Sequence, residues 1–246
     1  MPTFFIAPEA ITPLTIRISG PLLHHLRGSL RLHRGESLTL TDQQGTRYHV
    51  EVMDITSQAI HTRIVNREAA PPRVTPQIVL GQALLKGEKM DWVLQKATEL
   101  GVDAIVPLET HNSVVKPNPG RIEHQRTRWR RIALEAAQQS ERWTIPAVSD
   151  PTPLAQFCDQ QSQATVKGIL SERTRGSSLA SLALPREPHH VIVLVVGPEG
   201  GWTSDEQQMA RDRGFIALTL GERILRAETA ALAAISILQS KLGELG

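Results

Sequence analysis

A run of six apolar residues, Val191 to Val196, empties into Gly197-Pro198-Glu199-Gly200-Gly201-Trp202. An apolar run without alternation reads as a strand buried on both faces. Phe215 to Leu220 repeats the pattern and ends at Gly221. The signature Thr203-Ser204-Asp205-Glu206 follows the first run and predicts a helix N-terminus. The second run leads through Glu222 to Thr229 into an alanine-rich helix over about Glu228 to Leu242. That helix is apolar almost all round, so it is expected to bury itself against another subunit. Two successive strands thus end in glycine-bearing loops that can face one crevice. Open α/β sheets bind ligands beyond the carboxyl ends of their strands. Glycines there let the backbone approach a ligand, and the next helix presents free N–H groups. The alternative is an ordinary connection, because Gly and Pro dominate turns generally.

The first 66 or so residues carry a different pattern. Thr15 to Ile18, Ser37 to Thr41, Thr46 to Met53 and Ala59 to Val65 are β-branched and partly alternating. Asp42-Gln43-Gln44-Gly45 predicts a hairpin turn, and Pro21 to Leu32 a short helix. A small barrel with an inserted helix accounts for this pattern. Residues 1–70 are therefore expected to form one domain. Pro71, Pro72 and Pro76 mark a linker over 71–76, and 77–246 is the second domain. There the rhythm becomes strand–helix. Strands are expected at Gln77 to Leu84, Asp103 to Leu108 and Lys167 to Leu170, with helices at Gly87 to Leu100 and Arg121 to Glu141. The second helix turns Trp129, Ile132, Ala133, Ala136 and Ala137 inward. This alternation implies a mostly parallel sheet covered by helices, an α/β fold.

Composition adds three points. The formal net charge is only +2, but 21 arginines stand against 6 lysines, and the guanidinium fork suits phosphate. Arg121, Arg126, Arg128, Arg130 and Arg131 are opposed within their stretch by Glu123 alone; they read either as a solvated helix face or as a phosphate-facing patch. Cys158 is the sole cysteine, so no internal disulfide forms, and Leu154 and Phe157 beside it predict a buried structural thiol. No apolar stretch approaches a membrane span, and no basic region followed by an apolar core opens the chain. A cytoplasmic protein with no membrane association is expected.

Several chemistries are excluded. There is no GxxxxGK[ST] phosphate loop, no GxGxxG after a strand and no GxSxG elbow. His24-His25 and His189-His190 lack zinc spacing and cysteine partners, so no metal is expected.

Taken together, GPEGGWTSDE and LGERILRAETAALAAISIL resemble the paired signature of knotted SPOUT methyltransferases. More closely, the chain resembles the bacterial family that methylates N3 of a uridine in 16S ribosomal RNA of the small subunit. Gly87 to Met90, Gln95 to Val102 and Glu135 to Arg142 match as well, and His25, Arg31 and Gly35-Glu36 fit the family's RNA-binding pattern. The likeness runs along nearly the whole chain. It implies an N-terminal PUA-like β-barrel that grips RNA, followed by a SPOUT α/β domain with a C-terminal deep trefoil knot. It implies a homodimer whose sites draw on both subunits, and S-adenosyl-L-methionine as cofactor. The cofactor loops map to Leu170 through Arg173 (with Leu170 and Ser171 as binding residues), to Gly197, Pro198, Glu199, Gly200 and Gly201, and to Leu220, Gly221, Ile224 and Leu225. His25, Arg27 and Arg31 are the RNA-binding candidates. Two departures stand out: Ala227 replaces a hydroxyl residue, and Thr3 stands where many members carry arginine.

The implied reaction sets an electrostatic problem. Uracil N3 is mostly protonated at neutral pH and is a poor nucleophile. A guanidinium near O2 or O4 would stabilise the developing anion, and Arg226, directly after the cofactor loop, is the first candidate. Its other role would be an ion pair with Glu222 or Glu228. A carboxylate could instead act as general base, for which Glu228 and Glu172 are candidates. Glu199 either orients its turn or compensates a nearby arginine, and Ile224 and Leu225 either line an adenine slot or pack in the core. A different RNA target, or a non-catalytic RNA-binding role in ribosome assembly, are the competing readings.

Overall fold

The computed structural model describes residues 3–116, 120, 122–171 and 177–246. The chain divides into two compact units, Met1–Pro72 with Ala137–Ile145, and Arg73–Ala136 with Pro146–Gly246.

The first unit contains β1 (Thr3–Phe5), β2 (Thr15–Ile18), α1 (Gly20–Gly28), β3 (Ser37–Thr41), β4 (Thr46–Ile55) and β5 (Ile60–Ala69). The strands form one sheet in the order β1-β3-β4-β5-β2. Only β1–β3 is parallel. Alternation turns Ile16, Ile18, Leu38, Leu40, Val50 and Val52 to one core, and Leu23 and Leu26 of α1 fill it. The Asp42–Gly45 turn forms where expected. The Asp42 carboxylate accepts from the N–H groups of Gln44 (2.8 Å) and Thr46 (3.1 Å), and Gln43 and Gly45 take positive φ. Strand β1 escapes sequence reading because three residues are too few to show alternation. Thr3, where an arginine was the family's habit, is buried on it. The expected strands and the inserted helix form, but among the described residues no β1–β2 pairing closes the sheet into the expected barrel.

Residues 137–145 belong to this first unit, a division the proline-rich segment does not announce. The Arg47 guanidinium lies 3.7 Å over the Trp143 ring and donates to the Glu141 carbonyl. Contacts between residues so distant in sequence leave no local pattern.

The second unit holds β6 (Gln77–Ala83), α2 (Lys89–Glu99), β7 (Ala104–Glu109), α3 (Ile122–Gln139, its last turn within the first unit), β8 (Ala147–Val148), β9 (Thr152–Pro153), α4 (Leu154–Gln160), β10 (Val166–Leu170), β11 (Ser177–Ser178), β12 (Val191–Val196), α5 (Ser204–Asp212), β13 (Ile216–Thr219) and α6 (Ala227–Leu242). Its sheet runs β11-β13-β10-β12-β6-β7-β8, with β9 also on β7. Every pairing is parallel, as strand–helix alternation predicts. The two-residue strands and α4 are too short to carry a period and were not foreseen. Ile192 to Val196 is buried throughout. The helix-cap signature forms a full capping box: Thr203 Oγ1 accepts from Glu206 N (3.1 Å), and Glu206 Oε2 from Thr203 N (2.9 Å). On α3, Trp129, Ala133, Ala136 and Ala137 are buried, and Ile132 is half-buried. Among the described residues, no helix is long and apolar enough to cross a membrane.

Two predictions arise here. Gly168 sits in β10 between β12 and β13. A methyl group there would lie 2.2 Å from Leu218 Cδ1. Leu218 is itself buried, and its Cγ would also lie within 3.3 Å, so the whole side chain must shift. Gly168→Ala is expected to destabilise the fold by about 1–3 kcal/mol, the usual cost of overpacking, read as a lower denaturation midpoint with unchanged m-value. Cys158 is buried as expected, and desolvation pushes its thiol up to about 11 despite the opposing Arg213 charge. The thiolate is the reactive form. Iodoacetamide at neutral pH is therefore expected to leave the native protein unmodified and to add one group after unfolding, counted by intact mass.

Candidate active site

Three chain segments meet at the carboxyl edge of the parallel sheet. They are the end of β10, the loop after β12 and the loop after β13. Each is brought there because its strand runs parallel to the others, so all three exits lie on one side. Two adjoining clefts result, sharing Leu170, Ser171 and Ala230. The larger encloses about 820 Å³ including its open mouth, with Gly197, Pro198, Glu199, Gly200 and Gly201 along one wall and Ala227 opposite. The smaller, about 310 Å³, is walled by Leu218, Thr219, Leu220, Gly221, Arg223 and Leu225.

The loop after β12 is held from several sides. Gly201 N donates to Pro198 O at 3.0 Å, closing a turn in which Gly201 takes φ +67. Trp202 Nε1 donates to Leu170 O at 2.8 Å, tying the loop to β10. Asn112 Nδ2 donates to the carbonyls of Gly200 (3.1 Å) and Gly201 (3.0 Å). The neighbouring His111 N–H is fixed by Glu206 Oε1 at 2.8 Å. Gly197 and Gly200 are required by space: a Cβ would meet the Trp202 ring at 3.0 Å and Asn112 Cβ at 2.9 Å, respectively. The loop after β13 folds back through Thr219, whose Oγ1 accepts from Gly221 N at 3.2 Å.

Among the described residues, Glu199 is paired with Lys89 and with no arginine. Lys89 Nζ lies 3.0 Å from Glu199 Oε1 and 3.9 Å from Glu228 Oε2. Burial pushes the Glu199 carboxyl up. The Lys89 hydrogen bond and the backbone N–H groups of Glu199 and Lys86 outweigh it, holding the carboxyl below its ordinary value. Glu199 is therefore an ionised structural carboxylate at neutral pH.

Most of the sequence-selected residues converge, but not all. Leu170, Ser171, the five residues Gly197 to Gly201, Leu220, Gly221 and Leu225 line the clefts. Ile224 does not; it is 64% exposed. Arg226 is the N-cap residue of α6, exposed, with no ion pair to Glu222 or Glu228 among the described residues. Glu228 stands in the first turn of α6 with Oε2 buried and unpartnered by any hydrogen bond among the described residues. Glu172 and Arg173 lie outside the described residues. Asn112, Lys89 and Trp202 were missed as supports of the loop; only the order His111-Asn112-Ser113 after a strand could have hinted at the first. His25, Arg27 and Arg31 are all exposed on α1 and the turn after it, His25 edge-on to Phe4 at 6.0 Å.

The arginine run is less basic than its sequence suggests. Arg126 pairs with Glu123 and Asp150, Arg128 with Asp91, and Arg131 with Glu135. Three of these carboxylates come from outside the stretch or its charge count. Arg130 is exposed, and Arg121 lies outside the described residues. The solvated-face reading fits this helix better than a phosphate patch.

The clefts suit an adenosyl compound. Leucine side chains offer one apolar slot, and glycine backbone lines the other wall where side chains would intrude. Comparison with known proteins agrees. Residues 73–239 match the model of an RNA methyltransferase domain. The ribosomal RNA small subunit methyltransferase E of Synechocystis sp. is 34% identical, covering 96% of this chain and 77% of that protein. Its Bacillus subtilis counterpart is 30% identical, covering 90% and 88%. Among solved structures, the enzyme of that name from Neisseria gonorrhoeae, bound to S-adenosyl methionine, superposes with a TM-score of 0.87 at 35% identity over 98% of both chains. A putative methyltransferase from Legionella pneumophila, also with the cofactor, gives 0.88 at 29% identity over 97% of both.

Proposed function

The chain belongs to the ribosomal RNA small subunit methyltransferase E family, and on that premise we propose that it methylates N3 of a uridine in 16S ribosomal RNA of the small subunit, with S-adenosylmethionine as donor. The observation that carries this reading is the convergence of Leu170-Ser171, Gly197 to Gly201 and Leu220 to Leu225 on shared clefts. Leu218, Leu220 and Leu225 would flank the adenine, and the glycine-lined wall would receive the rest of the nucleoside. The cofactor supplies an electrophilic methyl group on a cationic sulfonium. Everything else falls to the protein and the RNA.

Arg226 is the residue we assign to the developing uracil anion. It is exposed at the N-cap of α6, beside Ala227 in the cleft wall, and no carboxylate neutralises it among the described residues. A guanidinium held there would offer two donors to a uracil oxygen as N3 loses its proton to solvent and takes the methyl group, leaving S-adenosylhomocysteine. Glu228 is the weaker choice for a base, because its Oε2 is sealed from solvent. His25, Arg27 and Arg31 are assigned to RNA contact from α1.

We read residues 1–70 as a PUA-like RNA-gripping domain, 71–76 as its linker and 77–246 as a SPOUT domain with a C-terminal deep trefoil knot. The strand order supports the knot: β13 passes β12 and pairs with β10, which precedes both β12 and β13 in the chain. We read the protein as a cytoplasmic homodimer. Trp92 on α2 is 43% exposed, and Leu232 and Ile237 on α6 are only half-buried, apolar surface that a second copy would cover.

The test is incubation of undermethylated small subunits with the protein and S-adenosylmethionine, followed by mass mapping of the RNA. A new N3-methyluridine in 16S RNA is the expected result. Methylation of transfer RNA in place of the subunit, or RNA binding with no cofactor binding by calorimetry, would overturn it.

A further inference from the structure

Lys89, Glu199 and Glu228 come from three elements and meet at one point. Lys89 opens α2, Glu199 stands in the loop after β12, and Glu228 lies two residues beyond Arg226 in the first turn of α6. The ammonium is 3.0 Å from Glu199 Oε1 and 3.9 Å from Glu228 Oε2. Glu228 is only 14% exposed, and its Oε2 is buried with no hydrogen-bond partner among the described residues. Burying a charge is costly unless it is paired. Lys89 is the one cation within ion-pair distance of Glu228 among the described residues. A single ammonium thus serves two carboxylates, one on the cleft wall and one at the root of the helix that Arg226 caps.

We propose that Lys89 is a positioning residue, which fixes the Gly197–Gly201 loop through Glu199 and the start of α6 through Glu228. It touches neither clefts nor reacting atoms directly, and the proposal rests on the reading of those clefts as the cofactor site. A compact ammonium with three donors on a flexible stem can satisfy acceptors at two unequal distances. The planar fork of arginine cannot occupy the same point, so Lys89→Arg is expected to restore charge without full geometry.

The two arms predict separable effects. In Lys89→Met, the dissociation constant for S-adenosylmethionine rises about tenfold by calorimetry. Its single-turnover rate at saturating cofactor also falls about tenfold. Glu199→Gln reproduces the loss of affinity with a near-normal rate, and Glu228→Gln the loss of rate with near-normal affinity. Lys89→Arg recovers part of both. Adding Lys89→Met to Glu199→Gln weakens cofactor binding no further, since the shared contact is already gone. The proposal is overturned if Lys89→Met matches the unmodified protein in both measurements, or if its effect on affinity persists undiminished in the Glu199→Gln background. If Lys89→Met shows no cooperative thermal transition, the two glutamine variants decide. A clean split between affinity and rate sustains the proposal, and equal loss of both in each variant sinks it. Failure of the unmodified protein to bind S-adenosylmethionine would instead remove the cofactor reading, and the proposal with it.

Discussion

Arg226→Ala is expected to slow methyl transfer by about 10²–10³-fold at saturating cofactor, the usual cost of deleting one preorganised donor from a site of developing negative charge. The affinity for S-adenosylmethionine should barely change, because Arg226 lines neither cleft. Stability should hold as well. Arg226 is the N-cap residue of α6, but its side chain makes no capping hydrogen bond, and its carbonyl, which accepts from Ala230 N at 2.8 Å, survives the substitution. Single-turnover kinetics with labelled cofactor on undermethylated subunits, beside calorimetry, separates the two quantities. Equal loss of rate and affinity would show that Arg226 shapes the loop and does not serve the reacting base. Arg226→Lys should recover only part of the rate, since an ammonium keeps the charge but not the two-pronged geometry.

The second large effect is expected at Gly200. In Gly200→Ala the new methyl group would sit 2.9 Å from Asn112 Cβ and 3.2 Å from the Asn112 carbonyl oxygen. Asn112 cannot swing aside cheaply. Its amide donates to Gly200 and Gly201, and the preceding residue is bound to Glu206. The loop must therefore yield, and the open direction is into the cleft. A shift of about 0.5 Å relieves the contact, and misplacement of a positioning loop costs up to about 10²-fold in rate, here expected together with a loss of cofactor affinity. Circular dichroism should be unchanged, because the clash is confined to a turn outside the strands. Cofactor affinity equal to that of the parent would mean that this loop does not face the cofactor.

Glycine placement shows how far sequence reading reaches. The glycines after Val196 and Leu220 could be marked as sites of close backbone approach, since apolar runs ending in glycine have few other uses. The strands were legible for the same reason: Val191 to Val196 is apolar at every position, and burial on both faces demands that. The capping box was legible because its two hydrogen bonds join residues three apart. Ile224 shows the limit. It sits in the right loop, yet points to solvent, because backbone direction within a loop depends on what the loop packs against. The arginine run shows another limit. Counted along the chain it is strongly basic, but Asp91 and Asp150 reach it from other elements and neutralise two of its members.

The amino-acid order by itself therefore determined the local matters: which segments are strands, where α5 and α6 begin, that Cys158 is buried, and which loops carry glycine at strand exits. Those follow from interactions within a few residues, and from the solvent preference of each side chain. The folded chain alone decided what meets what. It brought Leu170, Gly200 and Leu225 to one edge of a parallel sheet, set Asn112 against Gly200, placed Lys89 between Glu199 and Glu228, and joined residues 137–145 to the first unit. Such contacts span tens to more than a hundred residues. Their energies come from burial and charge pairing in three dimensions, so no window along the sequence contains both partners.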